Sequence, residues 1–124
     1  MHAMPAMAAP FVVGSWYGQG QPNDKSNMWL DHLLADGSFN GQYRTCVKGK
    51  ASDTFQAGTW SLTGDTLTIS ILTVDGFFQP RNDVYQNLSH DARRWAYKYL
   101  KLGYVSKAER VDDKLQLSSC ETVS

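Results

Sequence analysis

The chain has 124 residues, and 12 lysines and arginines balance 12 aspartates and glutamates, so the formal net charge at pH 7 is zero. That length suits one domain, and the missing basic excess argues against a partner held through phosphates, whether DNA or RNA. With 42% hydrophobic and 12% aromatic residues the chain can build a core, and intrinsic disorder is excluded as its general state.

Residues 1–11 read as a flexible N-terminal segment and 12–124 as the folded domain. The opening, MHAMPAMAAP, is small and apolar, and Ala6-Met7-Ala8 matches the small-x-small pattern that precedes signal-peptidase cleavage. A basic leader and a full apolar stretch are both missing. The favoured reading is a signal-peptide remnant, which places the protein in the periplasm or outside the cell; a plain flexible terminus is the other. No apolar run approaches the ~20 residues of a membrane-spanning helix.

From residue 12 onward short β-rich runs alternate with turn residues. Strands are expected at 12–20 and 27–35, and Asp36-Gly37 then marks a hairpin turn into 38–48. In that third strand Phe39, Gly41, Tyr43, Thr45 and Val47 share one face, and Asn40, Gln42, Arg44 and Cys46 share the other. A loop over 49–53 leads to a strand at 54–62, and Gly64-Asp65 turns the chain into 66–74. There Leu67, Ile69 and Ile71 alternate with Thr68 and Ser70, as a half-buried strand requires. Gly76 and Pro80 mark a break. Further strands are expected at 83–88, 93–101 and 104–110, with a last one at 114–119 after Asp112-Asp113. A helix over 89–102, capped by Ser89, competes with the strand at 93–101. The alternation of Trp95, Tyr97 and Tyr99 favours the strand.

Cys46 and Cys120 are the only cysteines, and they lack metal-ligand spacing. Two free thiols would fit the sequence. The favoured reading is a disulfide that staples the tail, contributing up to ~4 kcal/mol through the long loop it closes. Eight or nine short strands in sequential hairpins form an all-β protein. The simplest closure is an antiparallel up-and-down barrel of about eight strands, which removes the exposed edges.

Gly14-Ser15-Trp16 at the start of the first strand resembles the lipocalins and the wider calycin superfamily. The stretches Gly58-Thr59-Trp60-Ser61-Leu62 and Gly64-Asp65-Thr66-Leu67-Thr68-Ile69 resemble the middle hairpin of bacterial lipocalin-like domains. Trp29, Asp36-Gly37-Ser38-Phe39 and Ala108-Glu109-Arg110-Val111 fit the same pattern, so the resemblance spans most of 12–119. It implies that Trp16 closes one end of a barrel and that Gly14 lets the backbone pass closely. The opening is also similar to nitrobindin-type haem barrels, but those need an axial histidine near the chain's end. Here His2, His32 and His90 are the only histidines. Avidins share the Gly14-Ser15-Trp16-Tyr17 opening, yet their site needs several late tryptophans, and only Trp95 is available.

No catalytic constellation stands out. Asp31 and His32 are neighbours on a strand and point to opposite faces. Ser89-His90-Asp91 in direct succession is not triad geometry and reads as a solvated turn. No metal, cofactor or enzymatic activity is expected. The expected function is binding of a small apolar or amphipathic molecule inside the barrel, with Trp29, Tyr43, Trp60, Trp95 and Tyr97 facing the interior or its mouth. Arg44 would anchor a carboxylate if it, rather than Tyr43, points inward. The alternative is a filled barrel acting through its surface and loops, as an envelope component or inhibitor. Oligomeric state is left open.

Overall fold

The computed structural model describes residues 10–20 and 27–120, and it contains strands and turns but no helix. The processing motif at Ala6-Met7-Ala8 lies outside the described residues, as does His2. Eight strands follow in order: β1 (Gly14–Gln19), β2 (Asn27–Leu33), β3 (Ser38–Val47), β4 (Lys50–Thr63), β5 (Thr66–Val74), β6 (Phe77–His90), β7 (Arg94–Tyr99) and β8 (Tyr104–Val111). Each pairs antiparallel with the next, and β8 closes on β1, giving an up-and-down barrel without a free edge. The expected all-β barrel is therefore the fold, and 94–99 is a strand rather than part of a helix.

Three local expectations are corrected. Residues 50–53 are not loop: Lys48 and Gly49, both at positive φ, make a two-residue turn, and Lys50 pairs directly with Val47. Pro80 does not break a strand, because β6 runs through it. The β5–β6 register shifts between Ile71 and Thr73, and a residue without an N–H is tolerated at such a bulge. Residues 114–119 form no ninth strand. With β8 already bonded to β1 there is no edge left to extend, so the chain turns at Asp112, whose Oδ1 accepts from Lys114 N at 2.7 Å, and runs on as a strap.

The strap crosses the outside of the first three strands. Ser15 Oγ donates to Asp113 at 2.7 Å, Arg44 Nη1 donates to the carbonyls of Leu117 and Ser118, and Cys120 is bonded to Cys46. Leu30, on the outer face of β2, is only 3% exposed, and Leu117 of the strap is buried as well.

Side chains pointing inward at one end form the core: Val12, Trp16, Leu33, Phe39, Leu67, Ile69, Ile71, Trp95, Tyr97 and Ala108, with Phe11, Trp60 and Leu62 packed against them. Trp16 is wholly buried and donates from Nε1 to Val12 O at 2.9 Å. The Arg110 guanidinium lies 4.4 Å from the centre of its ring and donates to the carbonyls of Phe11, Val13 and Ala92. Arg110 thus fastens the incoming chain and the β6–β7 turn across this end. Gly14 is required for the closure on two counts. Its φ is 139°, and a Cβ there would come within 2.3 Å of Arg110 Nη1.

Candidate functional site

The interior is not filled to the opposite end. Toward the end where β2 begins, β3 finishes and the β7–β8 hairpin turns, a cavity of about 270 Å³ opens above the core. Trp29 and Asp31 come from β2, Tyr43 from β3, Tyr85 from β6 and Trp95, Tyr97 and Tyr99 from β7. Period-two alternation explains this set. On β2, Trp29, Asp31 and Leu33 share the inner face, and on β7 Trp95, Tyr97 and Tyr99 do so.

Two glycines make room for the β2 residues. Gly18 of β1 is the register partner of Trp29, and a Cβ there would fall 2.1 Å from the indole. Gly41 of β3 is the partner of Asp31, and a Cβ there would fall 2.6 Å from Asp31 Oδ1. β2 is thus flanked by backbone without side chains at the two heights where its own side chains turn sideways.

The aromatic wall is continuous. Trp95 and Tyr97 lie with ring centres 4.3 Å apart, Tyr97 meets Tyr85 edge-on at 5.4 Å, and Tyr85 meets Tyr99 at 5.3 Å. Trp29 hydrogen-bonds Tyr97. Trp95 also packs edge-on against Trp16, so the floor of the cavity rests on the closed end.

Asp31 is the one carboxylate within this wall. It is 8% exposed and takes a hydrogen bond from Tyr43, while Oδ1 has no partner among the described residues. Burial pushes its carboxyl up to about 7, against the smaller opposing effect of the Tyr43 hydrogen bond; no cation contributes. Burial also raises the phenols of Tyr43, Tyr85 and Tyr97, and the Asp31 charge raises them further, so all three are neutral donors at physiological pH. Trp95 Nε1 is a second buried polar atom of this wall without a partner among the described residues. At the rim Asp83 is held by Arg81 at 3.0 Å and accepts from the Tyr99 hydroxyl at 3.2 Å.

Of the six residues expected to bind, Trp29, Tyr43, Trp95 and Tyr97 are brought together on the cavity wall. Trp60 faces inward but sits at the closed end, with Nε1 donating to Leu34 O at 2.8 Å. Between Tyr43 and Arg44 it is Tyr43 that points inward. Arg44 reaches only the rim. Its guanidinium is bonded to Asp53 at 2.8 Å through both Nε and Nη2 as well as to the strap carbonyls, and it holds the Asp53 carboxyl below its usual range. Asp31, Tyr85 and Tyr99 also line the cavity and were not among the residues expected to bind. The available signal for Asp31 was its place two residues from Trp29, on the same strand face.

A serine, a histidine and an aspartate do meet outside the barrel: Ser15 Oγ lies 2.6 Å from His32 Nδ1 and donates to Asp113. The carboxylate holds the serine rather than the imidazole, the reverse of the order in which a base activates a nucleophile. The arrangement latches the strap onto β1. His90 is exposed and stacks on Phe11 with ring centres 3.7 Å apart, and Asp91 Oδ1 accepts from the backbone of Arg93 and Arg94 to form the turn expected there. No family model matches the chain, and neither a curated protein nor a solved structure matches it.

Proposed function

We propose that the protein is an exported, lipocalin-like member of the calycin superfamily that holds a small apolar or amphipathic molecule in its barrel without transforming it. In this reading the described barrel, with Phe11 packed against its closed end, is the binding domain. One observation carries the reading: a cavity walled by Trp29, Tyr43, Tyr85, Trp95 and Tyr97 surrounds a buried carboxyl that lacks a full set of partners. Ligand sites combine an apolar, aromatic lining with a few placed polar groups, and the described wall has that composition. The volume lies just under the ~300 Å³ lower end of common ligand pockets, which favours a small occupant. Calycin membership is supported by the closed eight-strand barrel together with the Gly14, Trp16 and Arg110 end, in the order the sequence resemblance implies. Export is supported by the disulfide, since such bonds persist in oxidising compartments.

Native mass spectrometry of the protein recovered from its own source, followed by titration with an environment-sensitive apolar dye, tests the reading. A co-purifying small molecule that competes with saturable, one-to-one dye binding is the expected result. A clean apo mass with no saturable dye binding would overturn it.

One observation favours a second reading, action through the outer surface. Phe77 and Phe78, next to the Asp75-Gly76 turn, are 75% and 77% exposed, and Leu72 and Phe55 are exposed as well. Replacing both phenylalanines with serine leaves dye binding intact under the first reading and abolishes the protein's effect under the second.

A further inference from the structure

Asp31 creates an imbalance that no other part of the barrel corrects. It lines the cavity, is more than nine-tenths buried, and has one oxygen without a partner among the described residues. The groups facing it are uncharged or acidic. From β1 come Trp16 and Gly18, from β3 Gly41 and Tyr43, from β6 Tyr85 and from β7 Tyr97. Leu67 and Ile69 of β5, Tyr99 of β7 and Tyr104 and Ser106 of β8 also line the space, and Arg44 is the one cationic side chain on its lining. The inner face of β4 adds Thr54 and Gln56, opposite Tyr43 and Gly41. The arginines near the rim are committed elsewhere, Arg81 to Asp83 and Arg44 to Asp53, and Arg110 serves the closed end. Neither described histidine lines the cavity.

A buried carboxylate is stable only when paired and hydrogen-bonded. Aromatic faces attract cations, more strongly when water is excluded. A carboxylate without a counter-ion, ringed by two indoles and three phenols, therefore has complementarity for one charge sign. Resting on the reading of the cavity as a ligand site, the geometry points to a small organic ammonium ion as the occupant, its N–H groups donating to Asp31 and its apolar body lying against Trp29, Tyr85, Trp95 and Tyr97. At the ~30 Å³ that one water occupies in the liquid, the cavity holds a molecule of roughly ten heavy atoms, about the size of a single ring with a short amine arm. Gly41 is the enabling residue, because any side chain there would displace the carboxylate.

Three probes of nine or ten heavy atoms and different charge separate this inference from its alternatives: 2-phenylethylamine, 2-phenylethanol and phenylacetate, titrated by calorimetry into the full chain. Near pH 8.5, where Asp31 is ionised, the amine is expected to bind at least about tenfold more tightly than the alcohol, and the carboxylate most weakly. Asp31→Asn should bring the amine down to the affinity of the alcohol while leaving the alcohol unchanged. Near pH 5.5 the wild-type preference for the amine should collapse as Asp31 takes up a proton, and this arm stands even if the variant fails to fold. Equal affinity for amine and alcohol at the higher pH, or a preference retained by Asp31→Asn, overturns the assignment of an ammonium ion and leaves the cavity as a ligand site. Failure of all three probes overturns the ammonium assignment too, and the dye titration then decides separately whether the cavity reading falls with it.

Discussion

Asp31 shows how one residue on a strand couples folding to binding. Its neighbours on the inner face are Trp29 and Leu33, and its carboxyl is raised to about 7 chiefly because burial penalises the charged form. In the unfolded chain an aspartate titrates near ~3.9. Between these two values the folded state holds a proton that the unfolded state has lost, so stability falls as pH rises through this window and levels off above about 7. Asp31→Asn removes that ionisation. Thermal melts should show the variant and the wild type nearly alike at ~pH 4, with the variant gaining steadily until the pH passes the folded value. A gap that is constant across pH would mean that Asp31 is not the group responsible. Part of this site was legible beforehand, since alternation puts Trp29, Asp31 and Leu33 on one face. Nothing in a linear sequence says that Gly18 and Gly41 lie beside them, because that depends on the register of three strands.

At the scale of elements, the strap is the piece whose role changed most between sequence and structure. Residues 114–119 have the apolar alternation of a strand, but a strand needs an unpaired edge, and barrel closure removes the last one. Of its apolar residues Leu117 is buried and Leu115 stays exposed, and the Cys46–Cys120 bond locks the segment in place across 74 residues of sequence. Replacing both cysteines with serine should lower stability by up to ~4 kcal/mol, a fall in Tm of roughly 10–15 °C. Far-UV circular dichroism should be unchanged, because no ladder bond of the barrel passes through the strap. Amides of β2 and β3 near Leu30 and Arg44 should lose hydrogen-exchange protection first. A double variant with wild-type Tm would show that the strap holds by its side-chain contacts alone. Turn residues were the most legible elements. At Asp36-Gly37, for instance, Asp36 Oδ1 accepts from Ser38 N at 2.9 Å and the chain reverses there as expected. The bulge that admits Pro80 was not legible, because it is a property of the β5–β6 pair and not of β6.

Across the whole molecule the barrel divides into a closed, packed end and an open, aromatic one. Trp16 is the hinge of that division: it fills the closed end beneath Arg110 and supports Trp95, which is the cavity floor. Trp16→Ala should cost about 3–5 kcal/mol, a large share of the ~5–15 kcal/mol that stabilises a typical domain. Urea denaturation measures this directly. Loss of the floor should also weaken dye binding in the fraction that remains folded. A loss below about 1 kcal/mol would show that the closed end does not depend on this ring. The sequence by itself determined the strand order, several of the turns, the barrel class and most of the aromatic wall, because period-two alternation and turn chemistry are local properties written residue by residue. Only the tertiary structure decided that Tyr43 rather than Arg44 faces inward, that the tail is a strap, and that Tyr85 and Tyr99 join Asp31 around one space. Those outcomes depend on closure and register, which bring residues from β2, β3, β6 and β7 to the same height, and no single strand carries that information.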